Sequence, residues 1–397
     1  MKNILLPLSD VQMSYFYGRN KSTFLGGVST HFYIECVTSL DIDKLEKALN
    51  CTIREQPSMR SYITDNGMQC FMDEVPYYKI KQTDLTSFPE EQQEEKFLGY
   101  RKFHSERMFE LNKWPMFEFS IYNFSNQNIL IVDSDMMIMD GLSTEIIIDS
   151  LYKYYDNDNV NEIPVLAFEN YINEKKKKTE KNYAKDKSFW NEILQNLPSG
   201  PQFEKSCNTE EMVFDTSETI ISKDKWDKVK NFLLPERILP SVYLTTAYAK
   251  LLSRWCGQSR ITLNMTVSNR KGSCKELRNA VGDFTEVMLV DFDFTDDKTL
   301  KEKALETQKK ISVRKKHGSV ASSEIIRDYT NMHGCDNSFP FPAVCTCMLF
   351  DVAGSKWEWL GRKRYQVSQT PQVMLDNQIS LKDGRLIIHW DYLSAYF

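Results

Sequence analysis

The sequence predicts a two-layer mixed α/β protein, α/β or α+β in class, built from two halves. Short segments alternate apolar and polar residues as half-buried strands do, and longer ones carry an apolar stripe between capping signals. The two kinds interleave along the chain. A lysine-rich stretch, NEKKKKTEKNYAKDK at 173–187, is the one strong compositional bias and marks a seam. The halves are then 1–170 and 171–397. That division suits a chain of 397 residues, since a domain averages ~150 residues.

Residues 41–53 read as a helix. Asp41 or Asp43 caps it, Leu45, Ala48, Leu49 and Ile53 form its stripe, and Pro57 lies past its end. A short apolar strand at 129–132 precedes a loop where Gly141 allows a turn. Ser143 is placed there to cap a helix holding Ile146, Ile147, Ile148 and Leu151. The lysine-rich stretch reads as a solvated helix face or a linker rather than a site for an acidic partner. Residues 241–255 make a stronger helix, with Ser241 after Pro240 as the cap and Gly257 as the left-handed stop. Leu244, Ala247, Tyr248, Leu251 and Trp255 share its face. At 261–268, Ile261, Leu263, Met265 and Val267 point one way, and Thr262, Asn264, Thr266 and Ser268 the other. Residues 287–290 suggest a strand buried on both faces, 343–350 alternates, and 386–390 is another apolar strand. Strand order does not follow from pattern.

Composition excludes several classes of function. With 50 Lys+Arg against 55 Asp+Glu the net charge is −5, whereas a general nucleic-acid binder carries a basic excess. No apolar run approaches the ~18 residues of a membrane span, and the first eight residues hold too short an apolar stretch for a signal peptide. The expectation is a cytoplasmic protein with neither nucleic acid nor membrane as a partner. The nine cysteines are irregularly spaced and include no C-x2-C pair, which argues against a zinc ribbon. Cys345 and Cys347 would share a strand face and read as free buried thiols. None of the five histidines has another at i+3 or i+4, and serine-hydrolase, P-loop and dinucleotide fingerprints are absent. No metal is expected.

Three segments carry candidate chemistry. At 128–150, Asp135, Asp140 and the Ser143 hydroxyl flank four apolar residues, 136–139. A carboxylate in such surroundings has either a partner or a raised pKa, so one of them suits general acid or base work. The alternative, favoured for Asp140 beside Gly141, is that an arginine or backbone N–H groups hold it and it fixes the loop. At 342–349, P-A-V-C-T-C-M-L, the Thr346 hydroxyl needs a partner, although threonine in a strand is usually just a good β-former. At 368–376, S-Q-T-P-Q-V-M-L-D, an extended chain puts Gln372, Met374 and Asp376 on one face; an aspartate there is by default a turn former. None of the three is specific alone.

In order, the chain reads P-L-S-D-V-Q-M-S-Y-F-Y-G-R at 7–19, H-F-Y-I-E at 31–35, R-S-Y-I-T-D-N-G-M-Q at 60–69 and Asp135-x4-Asp140-x2-Ser143. Then come 239–255 ending L-x2-W, V-G-D-F-T at 281–285, the two segments at 342–349 and 368–376, and Trp390-Asp391. This succession resembles the heterocyclization (Cy) domains of nonribosomal peptide synthetases, within the condensation-domain superfamily. Ordinary condensation domains carry H-H-x3-D-G where this chain has Asp135-Met136 followed by Asp140-Gly141, and that replacement is the hallmark of the Cy family. Gln56 stands where a histidine is common, and Cys345 and Cys347 also depart from the pattern. The match is thinnest at 167–214, where only Leu197-Pro198 and Pro201 suggest the third motif.

The resemblance implies two chloramphenicol-acetyltransferase-like lobes in a V-shaped pseudodimer with a central tunnel. It implies amide formation between an acyl or aminoacyl thioester on an upstream donor carrier protein and Cys, Ser or Thr on a downstream acceptor carrier. Cyclodehydration to a thiazoline or oxazoline follows, in the biosynthesis of a siderophore or peptide natural product. The domain would hold no cofactor of its own. Phosphopantetheine arrives on the carriers, adenylation domains of the same assembly line load them, and the domain acts as a monomer. By the same analogy Asp376 is the acid/base and Thr346 orients it or the intermediate. Asp135, Asp140 and Ser143 form the tunnel centre, with Asp140 the more structural. Asn264, Thr266 and Gln372 bind substrate or the pantetheine arm, and Asp283 and Thr285 hold the loop at the tunnel floor. Two rivals stand beside this reading. One is a plain amide-forming condensation domain, against which the missing histidine pair argues. The other is a catalytically degenerate scaffold that only docks carriers. No adenylation signature or carrier serine motif occurs, so the substrates are expected on other domains or chains.

Overall fold

Alternation along the strands and capped stripes along the helices produce three sheets and their covering helices. The computed structural model describes residues 3–22, 25–206, 212–270, 275–334, 339–349 and 356–397. The chain begins β1 (Ile4–Pro7), α1 (Asp10–Gly18), β2 (His31–Thr38), α2 (Ile42–Glu55), β3 (Ser61–Ile63), β4 (Met68–Phe71) and β5 (Lys81–Asp84). It continues α3 (Glu90–Glu106), β6 (Phe117–Asn123), β7 (Asn128–Asp135), α4 (Gly141–Tyr154) and the long α5 (Val165–Leu194). Next come β8 (Phe214–Ile221), α6 (Lys223–Leu233), α7 (Pro240–Trp255), β9 (Arg260–Ser268), β10 (Thr285–Asp293), α8 (Leu300–Arg314) and α9 (Ser322–His333). The last elements are β11 (Ala343–Met348), α10 (Trp357–Leu360), β12 (Arg362–Gln369), β13 (Leu375–Lys382) and β14 (Arg385–Leu393).

One sheet has the order β12-β2-β7-β6-β5, another β10-β9-β11-β13-β14-β8, and a small one β1-β4-β3. β12 comes late in the chain yet pairs antiparallel with β2, Gln369 opposite His31. The chain then crosses to the six-stranded sheet as β13, which runs parallel to β11 with Asp376 opposite Val344. Residues 368–376 are therefore not one extended run. Pro371 presets the first turn position, Gln372 takes φ 65°, and the Val373 N–H closes on the Thr370 carbonyl at 3.3 Å. Gln372 thus points by turn geometry, not in strand register with Asp376.

The helices follow their caps. Asp41 accepts from the Lys44 N–H, and Leu45, Ala48, Leu49 and Ile53 are buried. Asp140, not Ser143, is the N-cap of α4; Ser143 is its reciprocal partner three residues on. On α7 the cap is Leu239 with Pro240 in the first turn, not Ser241. Its buried face is Val242, Thr245, Thr246, Ala249 and Leu252, with Tyr248, while Leu251 and Trp255 stay 47% and 53% exposed. The phase is rotated because α7 packs on α8, β9 and β11. The buried threonines return their hydroxyls to the Ser241 and Val242 carbonyls, at 2.9 and 2.7 Å, and so carry no unmet polar group. The lysine-rich stretch lies wholly within α5, a solvated helix face and not a linker.

The core of the first half gathers Leu45, Leu49, Phe119 and Leu151 beneath α2 and α4. A core in the second half gathers Ala249, Leu252, Ile261, Leu263 and Cys345. β10 serves two cores, with Met288 and Val290 in the latter and Leu289 against Trp190 and Phe341, as a strand buried on both faces must. A third cluster bridges the halves, packing Leu6 and Phe71 on Phe168, Leu277 and Phe284. Cys36, Cys51, Cys70, Cys256, Cys345 and Cys347 are free thiols; Cys207, Cys274, Cys335 and Phe350 lie outside the described residues. Among the described residues no acidic, thiol and imidazole cluster suits a metal, and no helix is long and apolar enough to cross a membrane.

Candidate active site

A cavity of about 1530 Å³ opens where the two large sheets meet. Asp140, Asn264, Thr266, Thr285, Thr346, Gln372 and Asp376 line it; Asp135, Ser143 and Asp283 are not on its wall. Parallel pairing of β11 and β13 sets Val344 beside Asp376 and Thr346 beside Gln378, and period-2 alternation turns all four into the cavity.

Asp376 is the unusual group on this wall. Burial pushes its carboxyl up to about 7, and the nearby Asp391 adds to the rise, while Gln378, His389 and Thr346 pull the other way. Oδ2 accepts from Gln378 Nε2 at 3.0 Å, and Oδ1 has no hydrogen-bond partner. A carboxyl poised near neutrality on the cavity wall, with one oxygen free of hydrogen bonds, can give a proton in one step and take one in the next.

Asp135 sits behind the wall, which corrects the expectation that it shapes the tunnel centre directly. Strand alternation turns Asp133 and Asp135 to the same sheet face, where Arg107 and His104 meet Asp133. Asp135 is fully buried and ion-paired with Arg19, and its Oδ1 accepts from the Met137 N–H at 3.0 Å. Arg19 also donates to the Phe109 carbonyl at 2.9 Å. Asp135 therefore ties α1 to the loop at 136–140.

Asp140 ties the halves together. It caps α4, pairs with Arg270 at 2.7 Å and accepts from the Phe284 N–H at 3.3 Å. The Arg270 guanidinium also donates to the Ala280 and Gly282 carbonyls at 2.6 and 3.2 Å. Ser143 Oγ bridges Asp140 Oδ1 and the Gly282 backbone, at 2.8 and 3.1 Å. This is the arginine-held aspartate foreseen as the alternative for Asp140.

One family covers nearly all of this architecture: a model of the condensation domain matches residues 4–393. The chain belongs to the condensation-domain family. Among curated proteins it is 25% identical over 404 residues to bacitracin synthase 1 of Bacillus licheniformis, covering 99% of this chain and 8% of that protein. It is 26% identical to phenyloxazoline synthase MbtB of Mycobacterium sp. (strain MCS), covering 97% and 33%, and 24% identical to pyochelin synthetase PchF of Pseudomonas aeruginosa, covering 98% and 22%. The chain thus spans a third or less of these relatives. Among solved structures, the EpoB cyclization-docking bidomain from Sorangium cellulosum superposes with a TM-score of 0.90 at 24% identity, over 99% of this chain and 80% of that one. The nonribosomal peptide synthetase FmoA3 gives 0.84 at 22%, over 100% and 40%. The mixed α/β fold with two acetyltransferase-like lobes is as expected from the motifs.

The segment 281–285 reaches the cavity wall at Thr285. Asp283 Oδ1 accepts from the Thr285 N–H at 3.0 Å, as expected of a residue that holds the loop, but Oδ2 has no partner. Burial, then Asp140, pushes its carboxyl up to about 7. A carboxyl raised by folding stabilises the native state fully only below its unfolded pKa of ~4, and that contribution is lost as pH rises through 7. Asp283→Asn should therefore raise stability by ~1–3 kcal/mol at pH 8. The gain should grow between pH 4 and 7 and then level off, as read from thermal unfolding across pH. On β9, Asn264 Nδ2 donates to the Phe341 carbonyl at 2.7 Å, and Oδ1 is left without a partner.

Four residues of the condensation domain escape motif-based assignment of the site. Arg270 and His389 belong to no pattern. Gln378 is two residues from Asp376, so strand period alone places it on the same face. Tyr15, which enters the sequence pattern only within the motif at 7–19, lines the cavity, where burial and then Asp283, Asp376 and Asp140 raise its phenol.

Proposed function

We propose that this condensation domain is a heterocyclization domain. The observation that carries the reading is Asp376, a cavity-wall carboxyl with a near-neutral pKa and an unpartnered oxygen, near Thr346. Similarity to a phenyloxazoline synthase and to a cyclization-docking bidomain supports it.

Two carrier proteins bring the substrates on phosphopantetheine arms, and adenylation domains load those carriers. In the first reaction the acceptor amine attacks the donor thioester carbon, the C–N bond forms and the C–S bond breaks. Holding two arms head to head supplies most of this rate, so a histidine base is dispensable. In the second, the Cys thiol or the Ser or Thr hydroxyl adds to the new amide carbonyl; the new C–S or C–O bond forms, the C=O π bond breaks, and the S–H or O–H proton passes to the carbonyl oxygen, which becomes a hydroxyl. Protonated Asp376 gives its proton to the departing hydroxyl and the C–O bond breaks. The amide nitrogen then loses its proton to the Asp376 carboxylate as C=N forms. Water leaves and Asp376 returns to its starting state. Thr346 orients the carboxyl, and Asn264 and Thr266 line the approach of an arm or substrate.

Dehydration uses the protonated carboxyl, so ring formation should fall as pH rises through about 7. Amide formation should not share that midpoint. Mass analysis of carrier-bound linear and cyclised products from about pH 5.5 to 8.5 tests this. Ring yield that simply tracks amide yield contradicts it.

A further inference from the structure

Next to Asp376 the wall holds a polar cluster that the mechanism has not used. Gln378 Nε2 lies 3.0 Å from Asp376 Oδ2, 2.9 Å from Asp391 Oδ2 and 2.9 Å from Ser368 Oγ. Ser368 Oγ donates to Asp391 Oδ2 at 2.7 Å. His389 Nε2 is 3.0 Å from Asp391 Oδ1 and 2.9 Å from Thr216 Oγ1, and Nδ1 is 3.5 Å from Glu218 Oε2. Lys363 Nζ reaches Glu218 at 2.6 Å. Asp391 is buried at 2% exposure and His389 at 6%.

We propose that His389 and Asp391 are positioning residues for Asp376, acting through Gln378 to hold its carboxyl and to set its charge. The inference rests on reading Asp376 as the cyclodehydration acid. The cluster contains three carboxyls and two cations. Glu218 has Lys363 and His389, Asp391 has His389, and Asp376 has no ion-pair partner. Burial disfavours the imidazolium, but Asp391 and Glu218 outweigh it and hold His389 at about 9, so it is a cation at neutral pH. The two cations balance Glu218 and Asp391. Asp376 is left as the carboxyl without an ion pair, so no such partner offsets the burial that favours its protonated form.

Gln378 conveys the arrangement. Its amide has two hydrogens for three acceptors, so its contact with Asp376 depends on how Ser368 and Asp391 share the other hydrogen. The other groups facing Asp376 are Tyr15 on α1, Tyr248 on α7, and Cys345 and Thr346 on β11. None is a cation. His389 is faced by Thr216 and Glu218 on β8, Asp391 on its own strand and Lys363 on β12.

The two members then pull in opposite directions. His389→Gln removes a cation that lowers the Asp376 pKa, so the pH midpoint of ring formation should move up by roughly one unit. Asp391→Asn removes an anion that raises it, so the midpoint should move down by roughly as much. Amide formation, measured in the same reactions, reports that each variant is folded, and either variant suffices if the other does not fold. Ser368→Ala, which changes no charge, should lower the ring rate with the midpoint unmoved. A wild-type chain that yields only linear amide overturns the function and this inference together. A wild type that forms ring, with variants whose midpoints stay put or move in the same direction, overturns this inference alone.

Discussion

Asp376→Ala should form the linear amide but lose ring closure by ~100-fold or more, the scale of a general acid/base removed from its site. Among the described residues of that wall, Asp376 alone combines an unpartnered carboxyl oxygen, a raised pKa and a threonine on the adjacent strand. Asp376→Asn is the sharper variant. It keeps the size of the side chain and its contact with Gln378, and removes only the exchangeable acid proton, so it should fail as completely. Thr346→Ala should cost less, about tenfold, because it disorients the carboxyl without deleting it. Product ratios from single reactions read both effects. Full ring yield from either Asp376 variant removes this residue from the chemistry.

Arg270→Met should lower stability by ~3–5 kcal/mol, the cost of leaving a buried carboxylate without its cation. Arg270 and Asp140 are 5% exposed each, and the guanidinium also serves backbone carbonyls that no methionine can satisfy. The contact joins α4 of the first half to the 280–284 segment of the second, so the loss should reach both reactions, in contrast to Asp376→Ala. A fall in the urea midpoint at unchanged slope is the expected signature. A double-mutant cycle with Asp140→Asn should show strong coupling. A destabilisation under ~1 kcal/mol would place the strength of this junction in the apolar cluster around Phe168 and Phe284.

Local rules carried the reading where one element decides the outcome. The cap at Asp41, the alternation of β9 and the two-faced burial of β10 each depend on a few adjacent residues, and each is realised. They failed where a distant neighbour decides. Leu251 and Trp255 are apolar and helically spaced with Tyr248, but contact with α8, β9 and β11 selects the Val242 and Ala249 face instead. Residues 368–376 look like one strand, but the chain must pass there from one sheet to another, which Pro371 and Gln372 accomplish with a turn.

The site divides in the same way. Motif order pointed to Asp376, Thr346 and Asp140, and the fold brings all three to one cavity. Asp135 stands where the resemblance to heterocyclization domains was strongest, yet a strand places it facing Arg19 behind the wall, which period-2 alternation from Asp133 could have suggested. Arg270 and His389 act through partners 130 residues and 171 residues away in sequence, at Asp140 and Glu218. No spacing rule reaches that far.

Product mass decides whether cyclodehydration takes place. The chain is incubated with a donor carrier loaded with an acyl thioester and an acceptor carrier loaded with Cys, Ser or Thr, and the product is weighed on the acceptor arm. The wild-type chain should give a species one water lighter than the linear amide, lost in Asp376→Asn with the linear amide retained. Linear amide alone from the wild-type chain, with any of the three acceptors, would contradict it.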